Sequence, residues 1–195
     1  MKTRSRILDC AAELMFSQGY THLKLDEVLL ASNVRKGNFY YYFASKDDLC
    51  LAVLKERAKP LIMQWVEQHI TAAGDPWENL SRLVQAMLAQ PDRVPGEGNP
   101  LANLALEMAG FSEEFREEVS VLVGELAAVY EREFKRLIQQ SRVPSGADPQ
   151  QLARYLFSVV EGALLLHRCD HDLERFQQSV GMGFSLLQAQ LVTAA

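Results

Sequence analysis

The sequence predicts an all-α protein, and three observations predict it. Apolar residues recur at three- and four-residue steps along nearly the whole chain, the period of a helix with one buried face. Helix punctuation falls between those stretches, at Gly19, Ser45, Gly74-Asp75-Pro76, Ser112 and Asp148-Pro149. No stretch alternates apolar and polar residues between hairpin turns. The expected architecture is a three-helix N-terminal domain, residues 1–47, and a larger helical domain, residues 48–195, with about nine helices in all.

Each element has a local reason. Residues 4–18 set Ile7, Leu8, Ala11, Leu14 and Met15 on one helical face, and Gly19 stands where a glycine ends a helix. A short helix from Asp26 to Ser32 turns Val28 and Leu29 inward. Asn33 follows at a tight turn, because its short polar side chain tolerates left-handed backbone. A third short helix covers Gly37 to Tyr42. Ser45 can cap the next helix, and Asp47 and Asp48 favour its positive end. That helix is expected to run from Lys46 to about Ala73, kinked at Pro60. Further helices are expected at Trp77–Gln90, Leu101–Ala109 and Ser112 to about Gln140, with Pro91–Pro100 irregular. Pro149 sits in the first turn of the next helix, where its missing N–H costs nothing. The last two helices, about 149–169 and 172–192, carry Gly162, Ala163, Gly181 and Gly183, small residues that allow close helix approach.

Composition bounds the function. Apolar residues make up 48% and charged residues 23%, the profile of a folded soluble chain. No run nears the roughly 18 apolar residues of a membrane span, and the first ten residues lack the apolar core of a signal peptide. Cys10, Cys50 and Cys169 form no pairing framework, which fits free thiols in a reducing cytoplasm. Net charge is −5, yet it is uneven. Residues 1–47 hold seven Lys/Arg against five Asp/Glu, and the remainder 13 against 20. A mildly basic head on an acidic body suits contact with DNA at one end.

Two short helices around a tight turn make a helix-turn-helix. The second helix must present its first turn to the base edges in a major groove about 12 Å wide. Here it begins Arg35-Lys36-Gly37-Asn38. Arg35 and Lys36 offer cations to phosphate or guanine. Gly37 lets the backbone approach the duplex, and Asn38 can read a base edge or bond a phosphate. Tyr40, Tyr41 and Tyr42 add hydroxyls on different sides, while Phe39 and Phe43 are expected to pack inward. The competing reading of these aromatics is ordinary core and surface, and for Tyr42 the two readings balance.

The stretch Gly19-Tyr20, Leu25-Asp26-Glu27-Val28, Asn33 through Phe43 and Ser45-Lys46-Asp47-Asp48-Leu49 resembles, nearly in register, the signature of the TetR family of one-component transcriptional repressors. The resemblance implies an N-terminal helix-turn-helix domain and a helical ligand-binding domain. It also implies a homodimer on double-stranded, palindromic operator DNA and a small-molecule effector. It places Lys36, Gly37, Asn38, Tyr40 and Tyr41 at recognition-helix contacts, and Lys46 on the basic residue that grips phosphate. Three departures stand out. Leu23 and Lys24 replace the usual Ser or Thr, so Lys24 is a candidate substitute phosphate contact. Arg35 replaces a Ser or Thr cap, giving up about 1 kcal/mol of capping for another cation at the DNA. Asn33 replaces the turn glycine. Gly98 to Glu107 is similar to a segment of one family branch, where some members carry an electrophile-reactive cysteine. Here that residue is Asn99, which favours a non-covalent, mainly apolar effector. Residues 153–164 resemble that branch's dimer helix, so dimerisation is expected on the last two helices.

The candidate effector residues lie along the larger domain. They are Trp65 and His69, then Met87, then Asn103, Leu104, Met108 and Phe111, then Tyr130 and Phe134, then Phe157 and Glu161. For any one of these alone the core reading is the stronger; together they suit an apolar pocket of a few hundred Å³. Asn103, Glu107, Glu161 and His167 are polar residues in apolar surroundings, as ligand contacts or satisfied buried groups. His167-x-x-x-His171 with Cys169 has the spacing of a helical metal pair, but no HExxH and no third ligand accompany it, so no metal is expected. GxSxG, P-loop and GxGxxG motifs are missing, and Glu113 to Glu118 reads as a solvated face. Neither a cofactor nor an enzymatic activity is expected.

Overall fold

The computed structural model describes residues 2–89, 107 and 112–193. The expected 101–109 helix and the candidates Asn103, Leu104, Met108 and Phe111 lie outside the described residues, as does Asn99. Among the described residues every regular element is a helix. They are α1 (Thr3–His22), α2 (Leu25–Ser32), α3 (Lys36–Tyr42), α4 (Lys46–Val53), a π-helical turn (Leu54–Ala58), α5 (Lys59–Gln68), α6 (Pro76–Ala89), α7 (Glu113–Gln139), α8 (Pro149–Asp170) and α9 (Leu173–Thr193). No helix among them is long and apolar enough to cross a membrane. They form two compact units, the first from residues 1–64 and 95–122, the second from 65–94 and 123–195.

In the first unit α1 buries Ile7, Leu8, Ala11, Ala12 and Met15, with Leu14 only half-buried. Gly19 interrupts α1 at φ 80°, and Asn33 closes α2 at φ 50°, ψ 48°, both in the left-handed conformations their residue types tolerate. Val28 is buried and Leu29 half-buried. At the start of α4 the Ser45 hydroxyl accepts the Asp48 N–H at 3.0 Å, and the Asp48 carboxylate accepts the Ala44 N–H at 2.9 Å, a reciprocal cap. Two ion pairs tie α1 to the π turn: Arg4 donates to both oxygens of Glu56 at 2.5 and 2.7 Å, and Arg57 donates to Asp9 at 2.7 Å.

The helix expected over 46–73 differs in two ways. Where a kink is expected at Pro60, a π turn, Leu54–Ala58, stands just before that residue. Pro60 has no N–H for the Glu56 carbonyl, so that oxygen instead accepts from Arg57 Nη1 at 2.9 Å, while the Lys59 N–H reaches five residues back to Leu54. The helix also ends at Gln68, not Ala73. The reason is tertiary: Asn79 on α6 takes both backbone groups of Thr71, donating to its carbonyl at 2.9 Å and accepting its N–H at 3.1 Å.

In the second unit Asn79 also donates to the fully buried Glu133 of α7 at 2.9 Å, and Arg136 donates to the same carboxylate at 2.6 Å. The buried charge is therefore paired and hydrogen-bonded, as burial requires. Asp148 caps α8 by accepting the N–H groups of Gln150 and Gln151, with Pro149 in the first turn. α8 and α9 pack together so closely that a Cβ on Gly183 would lie 2.5 Å from Val159 Cγ1. Gly162 and Gly181 meet nothing within 4 Å, so of these glycines only Gly183 serves this approach.

Candidate nucleic-acid interface

The α3 helix has one inner and one outer face. Phe39 is 0% exposed and packs edge-on to Tyr40 at 5.2 Å and against the buried Phe43 at 5.7 Å. The opposite face points out: Tyr40 is 51% and Tyr41 82% exposed, and Arg35, Lys36, Gly37 and Asn38 are exposed as well. Tyr42 is half-buried, edge-on to Tyr41 at 4.9 Å. No acidic residue stands in the first turn of α3, unlike α2 and α4. A Cβ on Gly37 would meet no atom within 4 Å, so the fold itself makes no demand for glycine there. Arg35 occupies the N-cap without a side-chain cap bond, leaving its guanidinium at the surface.

Lys24 is exposed, within 3.8 Å of Glu27. Lys46 is half-buried and held. Its ammonium donates to the Tyr20 carbonyl at 2.8 Å and lies 4.2 Å from the Tyr20 ring centroid, a cation–π contact. Tyr20 donates its hydroxyl to Asp47 at 2.7 Å. Burial and that carboxylate push the Tyr20 phenol upward, so it stays protonated. On the inner side of α4, burial pushes the Cys50 thiol up to about 12, which leaves it neutral and unreactive. In sequence Tyr20 is only part of the motif; its partners Lys46 and Asp47, 26 and 27 positions away, are visible only in three dimensions.

The described candidate effector residues lie in the second unit, as three aromatic groups and Met87. Tyr130, buried, meets the half-buried Phe157 edge-on at 6.3 Å; burial and then the Glu161 charge push its phenol upward. Phe134 meets Trp77 at 6.1 Å, and Trp77 meets Phe184 at 5.9 Å. Trp65 stacks on His69 at 4.6 Å, with the His69 ring nitrogen 2.7 Å from the Trp65 carbonyl. Met87 is buried on α6. Trp77 and Phe184 were not singled out from sequence, since each sits in an ordinary apolar helix face. Glu107 belongs elsewhere: in the first unit it accepts from Thr21.

Residues 7–53 match the sequence profile described as bacterial regulatory proteins of the tetR family, and residues 76–180 match that of a tetracyclin repressor-like C-terminal domain. The chain belongs to the TetR family. It is a transcriptional regulator with a helix-turn-helix DNA-binding domain, and members of this family are regulators rather than enzymes. Among relatives, the HTH-type transcriptional regulator LmrA of Bacillus subtilis is 28% identical over 84% of this chain and 85% of its own length. The HTH-type transcriptional repressor NemR of Escherichia coli is 22% identical over 91% of this chain and 90% of its own. A TetR-family regulator from Cytophaga hutchinsonii shares the fold, with TM-score 0.86 and 21% identity over 97% of this chain and 94% of its own. These likenesses agree with the all-α fold expected from sequence.

Proposed function

We propose that this TetR-family chain is a cytoplasmic repressor that binds a palindromic operator as a homodimer and is released by a small, mainly apolar molecule. The observation that carries this reading is the outer face of α3. It sets Lys36, Gly37, Asn38, Tyr40 and Tyr41 in the open beside Arg35, over a fully buried Phe39. Those residues read bases and bond phosphates; Lys24 and Lys46 bond phosphates at the flanks. NemR, a relative of nearly full overlap, is named a repressor. Two recognition helices must reach successive major grooves about 34–36 Å apart, which requires two copies of the chain.

The second copy docks on α8 and α9. Tyr155, Gly162 and Leu166 follow one helical stripe of α8, and Met182 and Leu186 one stripe of α9. Leu166, Met182 and Leu186 are 60%, 62% and 52% exposed, an apolar surface a lone protomer leaves in water. The open space at Gly162 and Gly181 leaves room for a partner helix.

The effector is proposed to bind among Trp65, His69, Met87, Tyr130, Phe134, Phe157 and Glu161. Its affinity must differ between the DNA-bound and released states by a coupling of about 5- to 150-fold.

The test begins with a duplex that the wild-type protein selects from a random-sequence pool. Selection of a palindrome is expected. The double change Tyr40→Ala with Lys46→Ala is expected to weaken binding to it by on the order of 100-fold, the product of two separate contacts. Full binding by that variant removes these residues from the interface, and failure to select any duplex ends the reading. Gly37→Ala makes a finer test. The methyl meets nothing in the protein, and alanine is the better helix former by up to about 1 kcal/mol. Thermal stability is therefore expected to hold or rise while operator affinity falls; unchanged affinity would show that the backbone at Gly37 does not approach DNA.

A further inference from the structure

Residues 19–21, at the interrupted C-terminal end of α1, are gripped from two sides within the first unit. Gly19 adopts φ 80°, ψ 169°, and a Cβ there would lie 2.6 Å from Glu107 Oε1. Thr21 donates its N–H to Glu107 Oε2 at 3.0 Å and its hydroxyl to the same oxygen at 3.2 Å. Between these two residues stands Tyr20, whose carbonyl and ring hold the Lys46 ammonium and whose hydroxyl bonds Asp47. The buried Phe115, at the start of α7, packs against the Tyr20 ring at 6.2 Å. Glu107 comes from 86 residues along the chain, so nothing local places it there.

We propose that Glu107 is a positioning residue for operator binding, acting through Lys46. Its carboxylate fixes Thr21 by two hydrogen bonds and occupies the space where any side chain at position 19 would begin. Residue 20 is thereby held at both ends. The Tyr20 carbonyl and ring then hold the Lys46 ammonium at one place at the start of α4. A lysine side chain with four rotatable bonds loses much freedom on meeting a phosphate; one already held loses less. The carboxylate contributes no DNA contact of its own, and its negative charge near the duplex is tolerated because both oxygens face the 19–21 turn.

The inference rests on the operator-binding reading, and salt dependence separates the two. Each phosphate neutralised by a protein cation adds close to one unit to the slope of log affinity against log salt. The probe is the duplex selected by the wild-type protein, followed by fluorescence anisotropy across a salt series. Lys46→Ala is expected to lower the slope by about one unit. Glu107→Ala is expected to do the same, with an affinity loss on the order of tenfold at moderate salt. Combining the two is expected to add nothing further, because both remove one contact. Glu107→Gln, which keeps an oxygen acceptor for Thr21, should restore most of the slope. Thr21→Val deletes one of the two donors without touching the carboxylate, and should lower the slope by a smaller amount even where Glu107→Ala folds poorly. A wild-type slope in both Glu107→Ala and Thr21→Val overturns the assignment. So does an affinity loss with the slope unchanged, the mark of a purely structural role. If the wild-type protein selects no duplex at all, the operator-binding reading falls and takes this one with it.

Discussion

Phe39→Ala is expected to unfold the recognition segment and abolish operator binding, while Tyr41→Ala leaves stability nearly unchanged and only weakens binding. The two aromatics are two residues apart on α3 and sit in opposite environments. Phe39 is fully buried between Tyr40 and Phe43, and truncating a buried phenylalanine costs about 3–5 kcal/mol. Against a total stability of roughly 5–15 kcal/mol that is a large fraction. Nothing local compensates, since α3 runs only from Lys36 to Tyr42 and a helix so short does not persist in water without its packing. Tyr41 is exposed, and surface substitutions of this kind stay within about 0.5 kcal/mol. Denaturant unfolding monitored by circular dichroism reads the first quantity, and anisotropy with the selected duplex reads the second. Equal stability losses in the two variants would mean that the inner and outer faces of α3 are wrongly assigned.

The combined change Met182→Glu with Leu186→Glu is expected to convert the proposed homodimer into monomers and to cut operator affinity by roughly 100-fold or more. Both side chains are exposed in a protomer, on one stripe of α9. The opposite side of α9 stays anchored, through Phe184 against Trp77 and Gln177 donating to the Leu88 carbonyl at 3.2 Å. The carboxylates would therefore be tolerated in the monomer but would be buried, unpaired and costly in a dimer built on this face. Losing the second half-site contact removes a gain in avidity of about 10²–10⁴. Sedimentation should show a single species at the monomer mass, with helical content retained. A variant that remains dimeric would move the interface off α8 and α9.

How much of this was legible in the sequence depended on the range of the interaction. The helix starts at Ser45 and Asp148, the left-handed turns at Gly19 and Asn33, and the inward Phe39 and Phe43 were all readable. Each depends on groups within a few residues and on the steric limits of one backbone position. The register from Gly19 to Leu49 carried the DNA-reading motif for the same reason: its spacing is local. Pro60 was correctly seen as a disturbance, but a π turn with Arg57 on the orphaned carbonyl was one of several ways to accommodate it.

What the chain determined by itself is therefore its all-α class, its caps and turns, and the exposed cations and tyrosines of α3. Only the tertiary structure decided where the α5 helix ends, since Asn79 takes Thr71, and what adds a hydrogen bond to the buried Glu133 beyond its neighbours Arg132 and Arg136, since that donor is Asn79, 54 positions away. It alone decided that Glu107 serves the 19–21 turn, and that Lys46 is held by Tyr20 rather than left loose in solvent. The physical reason is that a charged side chain has many acceptors within reach of its flexible stem. Which one it meets is settled by the packing of apolar helix faces, a property of the whole core and not of the neighbouring sequence.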